Sequence, residues 1–258
     1  MSKQMLIYQT AVVLSSDRHA DLFLEPRDDY AFSAGADAVP LMAAEFLLAA
    51  AEYAIVFTRA GDDVLPVTVL GVKDDRNLYL ASGAGWQARY IPAFIRRYPF
   101  VFAASEDGQT LTLCIDETHP GFNRSGLGQR VFAEDGKPSE FTQRILAFLQ
   151  DYHAHYERTK RFGAHLEALG VLEPMQATVT TPQGEKVPIG NFLAVSRDKL
   201  RALDGPALAR LAAADELELL YLHLYSMRNF NEVKDRLIAA RTQAQPVTEP
   251  VAEAVEAP

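Results

Sequence analysis

The sequence predicts an α+β fold, with antiparallel sheets built from hairpins and packed with one long helix and a set of C-terminal helices. Three observations predict it. Short β-type runs separated by turn residues fill much of the first half. An apolar stripe at helical spacing then covers residues 138–169, and helical patterns continue to about residue 239 after one more hairpin. Strands in a block followed by helices differ from the strand–helix alternation that builds a parallel sheet. No strand-then-GxGxxG or phosphate-loop pattern appears.

Taken in order, Val12, Leu14, Leu22 and Leu24 suggest two short strands around a turn at residues 15–18. Val39-Pro40 is expected to open a helix, since proline is tolerated in the first turn. Residues 41–53 are apolar on nearly every face, which implies burial on several sides; Glu45 and Glu52, seven residues apart, are the exceptions and share a face. Residues 54–58, 64–72 and 77–81 read as strands, with Pro66 arguing for an edge or bulge position. Residues 82–85 read as a loop, and 89–98 as a helix with Pro92 in its first turn and Pro99 as its stop. At about 100° per residue, Tyr90, Ile91, Phe94, Ile95 and Tyr98 would share one face, with Arg89 and Arg96 opposite and Arg97 at the border. Residues 100–104 and 110–115 form a hairpin.

Residues 117–138 are long for a structureless loop, so they are expected to be functional or to hold a short element. Phe141, Ile145, Phe148, Leu149, Tyr152, Tyr156, Phe162, Leu166 and Leu169 mark the stripe of the long helix, which Gly170 ends. A hairpin over 177–181 and 186–195 follows, then a capping-box pattern at 196–199 and helices at about 197–203, 206–213 and 215–239. Residues 1–240 read as one domain, with a subdivision near 137 as the alternative, and 241–258 as a disordered tail without aromatic residues.

Composition narrows the function. The chain has 258 residues, 48% of them hydrophobic, and a net charge of −9. That acidic balance argues against broad nucleic-acid binding, which needs a basic face, and against adhesion to anionic lipid. The single cysteine, Cys114, excludes an intramolecular disulfide and reads as a buried small hydrophobe in a strand. No window approaches a membrane span, and the N-terminal run is broken by Gln9 and Thr10, unlike a secretory signal. A cytoplasmic location is expected, with export to the cell surface by a signal-less route as the alternative.

The stretch from Trp86 to Phe102 sets the only tryptophan and three arginines among rings that favour burial. Arg89, Arg96 and Arg97 suit an anion, which a guanidinium grips through paired hydrogen bonds, with Trp86, Tyr90 and Tyr98 as walls. The competing reading is internal pairing with Glu45 and Glu52, whose carboxylates need partners inside an apolar segment. Cys114, Asp116, Glu117 and His119 are metal-ligating types, but strand alternation splits them between two faces. His153 and His155 point apart on a helix, and His165 faces solvent more than core. His223 could act as a base near Ser226, yet no orienting acid is visible, and a half-buried histidine bonded to backbone is the plainer reading. The Gly121–Gly128 stretch lacks the residues of a nucleotide loop and suits a lid over a pocket. No cofactor and no metal site is indicated.

Five words occur in order: Val-Pro-Leu-x-x-x-Glu-Phe at 39–46, Ala84-Gly85-Trp86, Tyr-Ile-Pro-Ala-Phe-Ile-Arg-Arg-Tyr-Pro-Phe at 90–100, Leu-Cys-Ile-Asp-Glu at 113–117 and Tyr-Leu-His-Leu-Tyr-Ser-Met at 221–227. Together they resemble the bacterial SapC family over roughly residues 5–240; the central word is the specific one. The family is distinct from a peptide-importer permease subunit of the same name, which spans the membrane. The resemblance implies a surface-layer association, and companionship in some genomes with outer-membrane receptors, cupin-like proteins and flavin-dependent tryptophan halogenases. It supplies no catalytic residue to carry over. The favoured expectation is a non-catalytic binding or accessory protein for a small anionic or aromatic ligand or a protein partner, with homo-oligomerisation left open. The alternatives are a surface-layer structural protein and an enzyme using Asp116, His119 or His223.

Overall fold

The computed structural model describes residues 6–72, 77–80, 85–105, 109–180, 184 and 186–244. Along the chain, β1 (Ala11–Val13), the one-turn α1 (Ser16–His19), β2 (Phe23–Leu24), β3 (Ala38–Pro40), α2 (Phe46–Ala49), β4 (Ile55–Ala60) and β5 (Asp63–Val69) come first. The short α3 (Ala93–Arg96) leads into the hairpin of β6 (Phe100–Ala104) and β7 (Leu111–Asp116), followed by β8 (Phe122–Asn123) and β9 (Gln129–Arg130). Then come α4 (Glu140–Ala168), the hairpin of β10 (Leu172–Thr180) and β11 (Lys186–Val195), and α5 (Arg197–Arg201), α6 (Gly205–Ala213), α7 (Glu216–Ser226) and α8 (Phe230–Ala244). The described pairings are all antiparallel, so the protein is α+β.

A five-stranded sheet in the order β10-β11-β4-β5-β3 organises the molecule. The first half of its central strand is buried on both faces: Ile55 and Phe57 join the cluster shared with α4, while Val56, with Ala54 just before the strand, joins the one beneath α8. Alternation of period two makes that division. On the first face, Phe162 of α4 contacts the Phe57 ring. At Gly163 the helix comes so close that an added Cβ would lie 1.9 Å from the Val64 carbonyl oxygen. On the second face, Val233 and Leu237 are fully buried and Phe230 stacks on Phe192.

The long helix begins where Ser139 accepts a hydrogen bond from the Thr142 N–H and ends before Gly170, at φ +64°. Its buried face carries Leu149, Tyr152, Phe162 and Leu166. The hairpins at 100–115 and 172–195 form as the sequence predicts, the latter with its first strand starting earlier, at Leu172. Residues 117–138 do hold short elements: β8 and β9 flank β2 in a small sheet. Gly128, at φ +87°, leaves no room for a side chain against Leu24, so this stretch is pegged to β2 and is no free lid.

Several local expectations are corrected. Pro40 ends β3 instead of opening a helix, and the apolar run after it forms a 3-10 turn and the four-residue α2. A run apolar on every face has no period to read. Pro66 sits inside the sheet opposite Phe57; its carbonyl accepts from the Leu41 N–H, where β3 has just ended, so its missing donor disrupts little. Residues 77–80 form only a bridge between Leu80 and Trp86. The predicted helix over 89–98 shrinks to α3, because the residue before Pro92 disfavours helix and the Tyr90 N–H bonds elsewhere. β1 and β2 belong to different sheets. Ser196 precedes α5 without a side-chain cap. The last predicted helix breaks at a 3-10 turn over Met227–Asn229, where the Asn229 amide donates to the carbonyls of Ala50 and Tyr53. Helix α8 runs to Ala244, four residues into the expected tail; 245–258 and most of the 82–85 loop lie outside the described residues.

Candidate functional site

The segment from Trp86 to Tyr98 is pinned onto residues 45–53 by two carboxylates. Glu45, 6% exposed, accepts hydrogen bonds from the Met42 N–H at 2.8 Å, the Ala93 N–H at 2.7 Å and the Tyr90 hydroxyl at 2.7 Å. Glu52 accepts from the Tyr90 N–H and from Arg89 Nε, each at 3.0 Å. Charge-assisted bonds of this kind compensate a carboxylate for leaving water. They also consume backbone donors that a longer helix would have used. The Tyr53 hydroxyl donates to the Tyr90 carbonyl and accepts from the Trp86 indole N–H at 2.8 Å.

The three arginines take different environments. Arg89 projects into solvent beyond its ion pair with Glu52. Arg96 is exposed, donates from Nε to the Ile91 carbonyl, and lies over the rings of Tyr90 and Phe148 at 5.8 and 5.4 Å. Arg97, 3% exposed, sits against Phe94, Tyr152 and Tyr8 at 4.3, 4.9 and 5.6 Å. The Tyr8 hydroxyl accepts from Arg97 and donates to the Phe100 carbonyl at 2.7 Å. Burial pushes the Tyr90 phenol up, and the Glu45 carboxylate pushes it further.

Rings form a continuous strip beside these charges. Tyr53 meets Tyr79 at 4.7 Å, Tyr79 meets Trp86 at 6.4 Å, and Trp86 meets Tyr30 edge-on at 5.7 Å. Tyr30 leads to Phe32, which stacks on Tyr98 at 3.9 Å. Tyr98 then meets His119 at 5.3 Å. Tyr30, Phe32, Trp86 and Tyr98 are half-buried, so the strip shows an edge to solvent, with Arg96 close enough to act on the Tyr30 phenol. Burial, followed by the Asp116 carboxylate, pushes the Tyr98 phenol up to about 12. The sequence reading missed Tyr8, which ends a short apolar run, and Tyr30 and Phe32, which stand in a polar, irregular stretch without a period to mark them.

The groups considered for catalysis are engaged in the scaffold. Asp116 accepts from the N–H groups of Gln9, Thr10 and Thr118 and from the Thr118 hydroxyl. Burial raises its carboxyl, but those hydrogen bonds outweigh it and hold the group below the usual range. Glu117 turns the other way, toward Arg18 and the buried His19. His119 Nδ1 accepts from the Gly121 N–H; burial, aided by Arg27, lowers its pKa. His223 is fully buried, its Nε2 accepting from the Val195 N–H and its Nδ1 bonded to the Ile55 carbonyl. Burial lowers it to about 4. The Ser226 hydroxyl donates to the His223 carbonyl and accepts from the Ile55 N–H, so the two side chains clasp β4 to β11 and α7. Cys114 is buried in β7. His165 lies at the surface and pairs with Glu216.

A family model described as SapC matches residues 14–233. The chain belongs to the SapC family. No curated protein and no solved structure matches it. The five words of the sequence fall on connected parts of this SapC structure. Residues 39–46 contribute Glu45, which anchors 90–93; Trp86 bonds Tyr53; Asp116 receives the long hydrogen bond of the Tyr98 hydroxyl at 3.5 Å. Residues 221–227 contribute His223 and Ser226, which hold Ile55.

Several concavities lined by described residues of this SapC chain lie away from Trp86, Arg89, Arg96 and Arg97. One of about 330 Å³ covers an open part of the five-stranded sheet, lined by Ala38, Val56, Val67, Val69 and Ile189. One of about 370 Å³ lies beside His165, Arg210 and Glu216, and one of about 420 Å³ beside His19, Glu117 and Arg124. Another, of about 160 Å³, lies between Leu47 of α2 and Leu219 and Leu222 of α7. Among the described residues, no group of three or more metal-ligating side chains converges, and no helix is long and apolar enough to cross a membrane.

Proposed function

We propose that this SapC-family protein is a non-catalytic binding or accessory protein that recognises a small anionic, aromatic ligand on its aromatic–arginine face. Within that reading the eight candidate residues divide. Glu45, Glu52, Tyr90 and Arg97 build the scaffold, and Trp86, Tyr98 and Arg96, with Arg89 at the margin, meet the ligand. Tyr30 and Phe32 complete the face. The observation that carries the proposal is the half-exposed strip Trp86–Tyr30–Phe32–Tyr98 with a solvent-facing guanidinium beside it. Flat rings and a cation match an arene carrying a negative charge. An enzyme built on Asp116, His119 or His223 is disfavoured, because each is committed to backbone or hydroxyl donors. A segment of a protein partner bearing an acidic and an aromatic residue is the second occupant of the same chemistry.

Trp86 is the only tryptophan, so its fluorescence reports on this face alone. Titration with benzoate and phenyl phosphate is expected to give a saturable change that acetate and inorganic phosphate do not give. Arg96→Met should remove it. No saturable change with either arene, together with no thermal stabilisation, overturns the proposal. We place the protein in the cytoplasm; the surface-layer alternative rests on the family resemblance, and recovery from the envelope fraction of cells would favour it.

A further inference from the structure

The exposed face of α7 carries four residues in a self-complementary order. Glu218, Tyr221, Tyr225 and Arg228 are all exposed, the tyrosines at 52% each. Their spacings are three, four and three residues. At about 100° per residue they fall within roughly 80° of one another on the helix. The Arg228 guanidinium bonds the Tyr225 hydroxyl at 3.0 Å, so the stripe continues past the end of α7 into the 3-10 turn. Beside it, α2 packs against α7 and shows Leu47 and Leu48 to solvent at 65% and 56%. Four of the large exposed hydrophobic side chains thus gather on α2 and α7.

We infer that this face is the interface of a two-fold symmetric homodimer, with α7 packed antiparallel against α7 of a second copy. A two-fold axis at position 223 relates residues equally distant on either side of it. Glu218 and Arg228 are each five positions away, and Tyr221 and Tyr225 two. The axis therefore sets each Glu218 against Arg228 of the second copy and each Tyr221 against Tyr225. A closed two-fold contact requires one patch to complement itself, and an acid–ring–ring–base order does so in the antiparallel sense alone. A parallel arrangement would set acid on acid and base on base. The rings supply a buried centre, and the leucines of α2 widen it. The charges lie at the rim, where they fix orientation more than they add affinity. The inference stands independently of the ligand face, which lies on other elements.

Sedimentation velocity of the full chain over a concentration series tests it. The wild type is expected to shift from monomer to dimer as concentration rises. Glu218→Arg and Arg228→Glu, each alone, should raise the dissociation constant about tenfold or more, a change of about 1.4 kcal/mol. The combined swap should restore it, because the exchanged charges meet again across the axis. Tyr221→Ser with Tyr225→Ser should leave a monomer with unchanged circular dichroism. A wild type that stays monomeric at every accessible concentration overturns the inference. So does a dimer whose mass is indifferent to the charge reversals, which would pair through another surface.

Discussion

The Glu45 carboxylate accepts a hydrogen bond from the Tyr90 hydroxyl at 2.7 Å, across a separation of 45 residues. Together with the Ala93 N–H on the same oxygen, this contact fixes where the aromatic–arginine segment lies. Glu45→Gln replaces an acceptor-only group with one whose amide faces donors. It should destabilise the protein by about 2 kcal/mol, and Tyr90→Phe by about 1.5 kcal/mol. In urea unfolding the double variant should lose less than the sum, since the partners share one bond. Additive losses would mean that the two groups do not act on each other.

Helix α4 touches β5 through Gly163, where an added methyl group would fall 1.9 Å from the Val64 carbonyl oxygen. Neither backbone can yield without moving a packed layer. Gly163→Ala should cost about 3 kcal/mol, although alanine is the better helix former. The control is Gly170→Ala, with open space but φ +64°, which should cost about 1 kcal/mol through strain alone. Thermal melts that rank the pair the other way would count against the close-packed crossing.

Stability should depend on pH through His223. Its imidazole is neutral in the fold, with a pKa of about 4 against 6.5 when free. The unfolded chain therefore binds the extra proton first. The contribution is complete above about pH 6.5 and is lost progressively as the pH falls toward 4, by about 3 kcal/mol in all. His223→Asn cannot bridge the Val195 N–H and the Ile55 carbonyl, so it should be less stable at pH 7 and show a flatter loss between pH 6.5 and 4. Urea midpoints measured across that range check both statements. A variant retaining the full slope would assign the dependence to other groups.

Scaffold and surface should separate in one pair of measurements. Arg96 is exposed, and Arg96→Met keeps an apolar stem over Tyr90 and Phe148; its melting temperature should match wild type within the effect of about 0.5 kcal/mol common to surface changes. The same variant should lose the benzoate-dependent fluorescence change of Trp86. Tyr90→Phe should do the reverse, melting earlier while keeping the response at low temperature.

The legible parts of the fold were those with a period. The stripe from Phe141 to Leu166 announced α4, and the β-type runs announced the hairpins at 100–115 and 177–195, the second without the first five residues of its opening strand. The run at 41–53 was misread because uniform apolarity carries no phase. The segment at 89–98 was misread because the carboxylates that capture its donors stand some forty residues earlier. Glu45 and Glu52 were recognisable as charges in need of partners, but not the identity of those partners. Tyr30 and Phe32 gave no local sign that they would line up with Tyr98.

By itself the sequence determined the α+β class, the long helix, the hairpins and a SapC-type order of motifs, because these depend on spacing between neighbours along the chain. The tertiary structure alone decided which arginine is buried, which carboxylate anchors which backbone, and which rings join into a strip. Those outcomes depend on contacts between residues far apart in the chain, and burial, which selects them by what each polar group must find once water is gone, is a property of the packed whole.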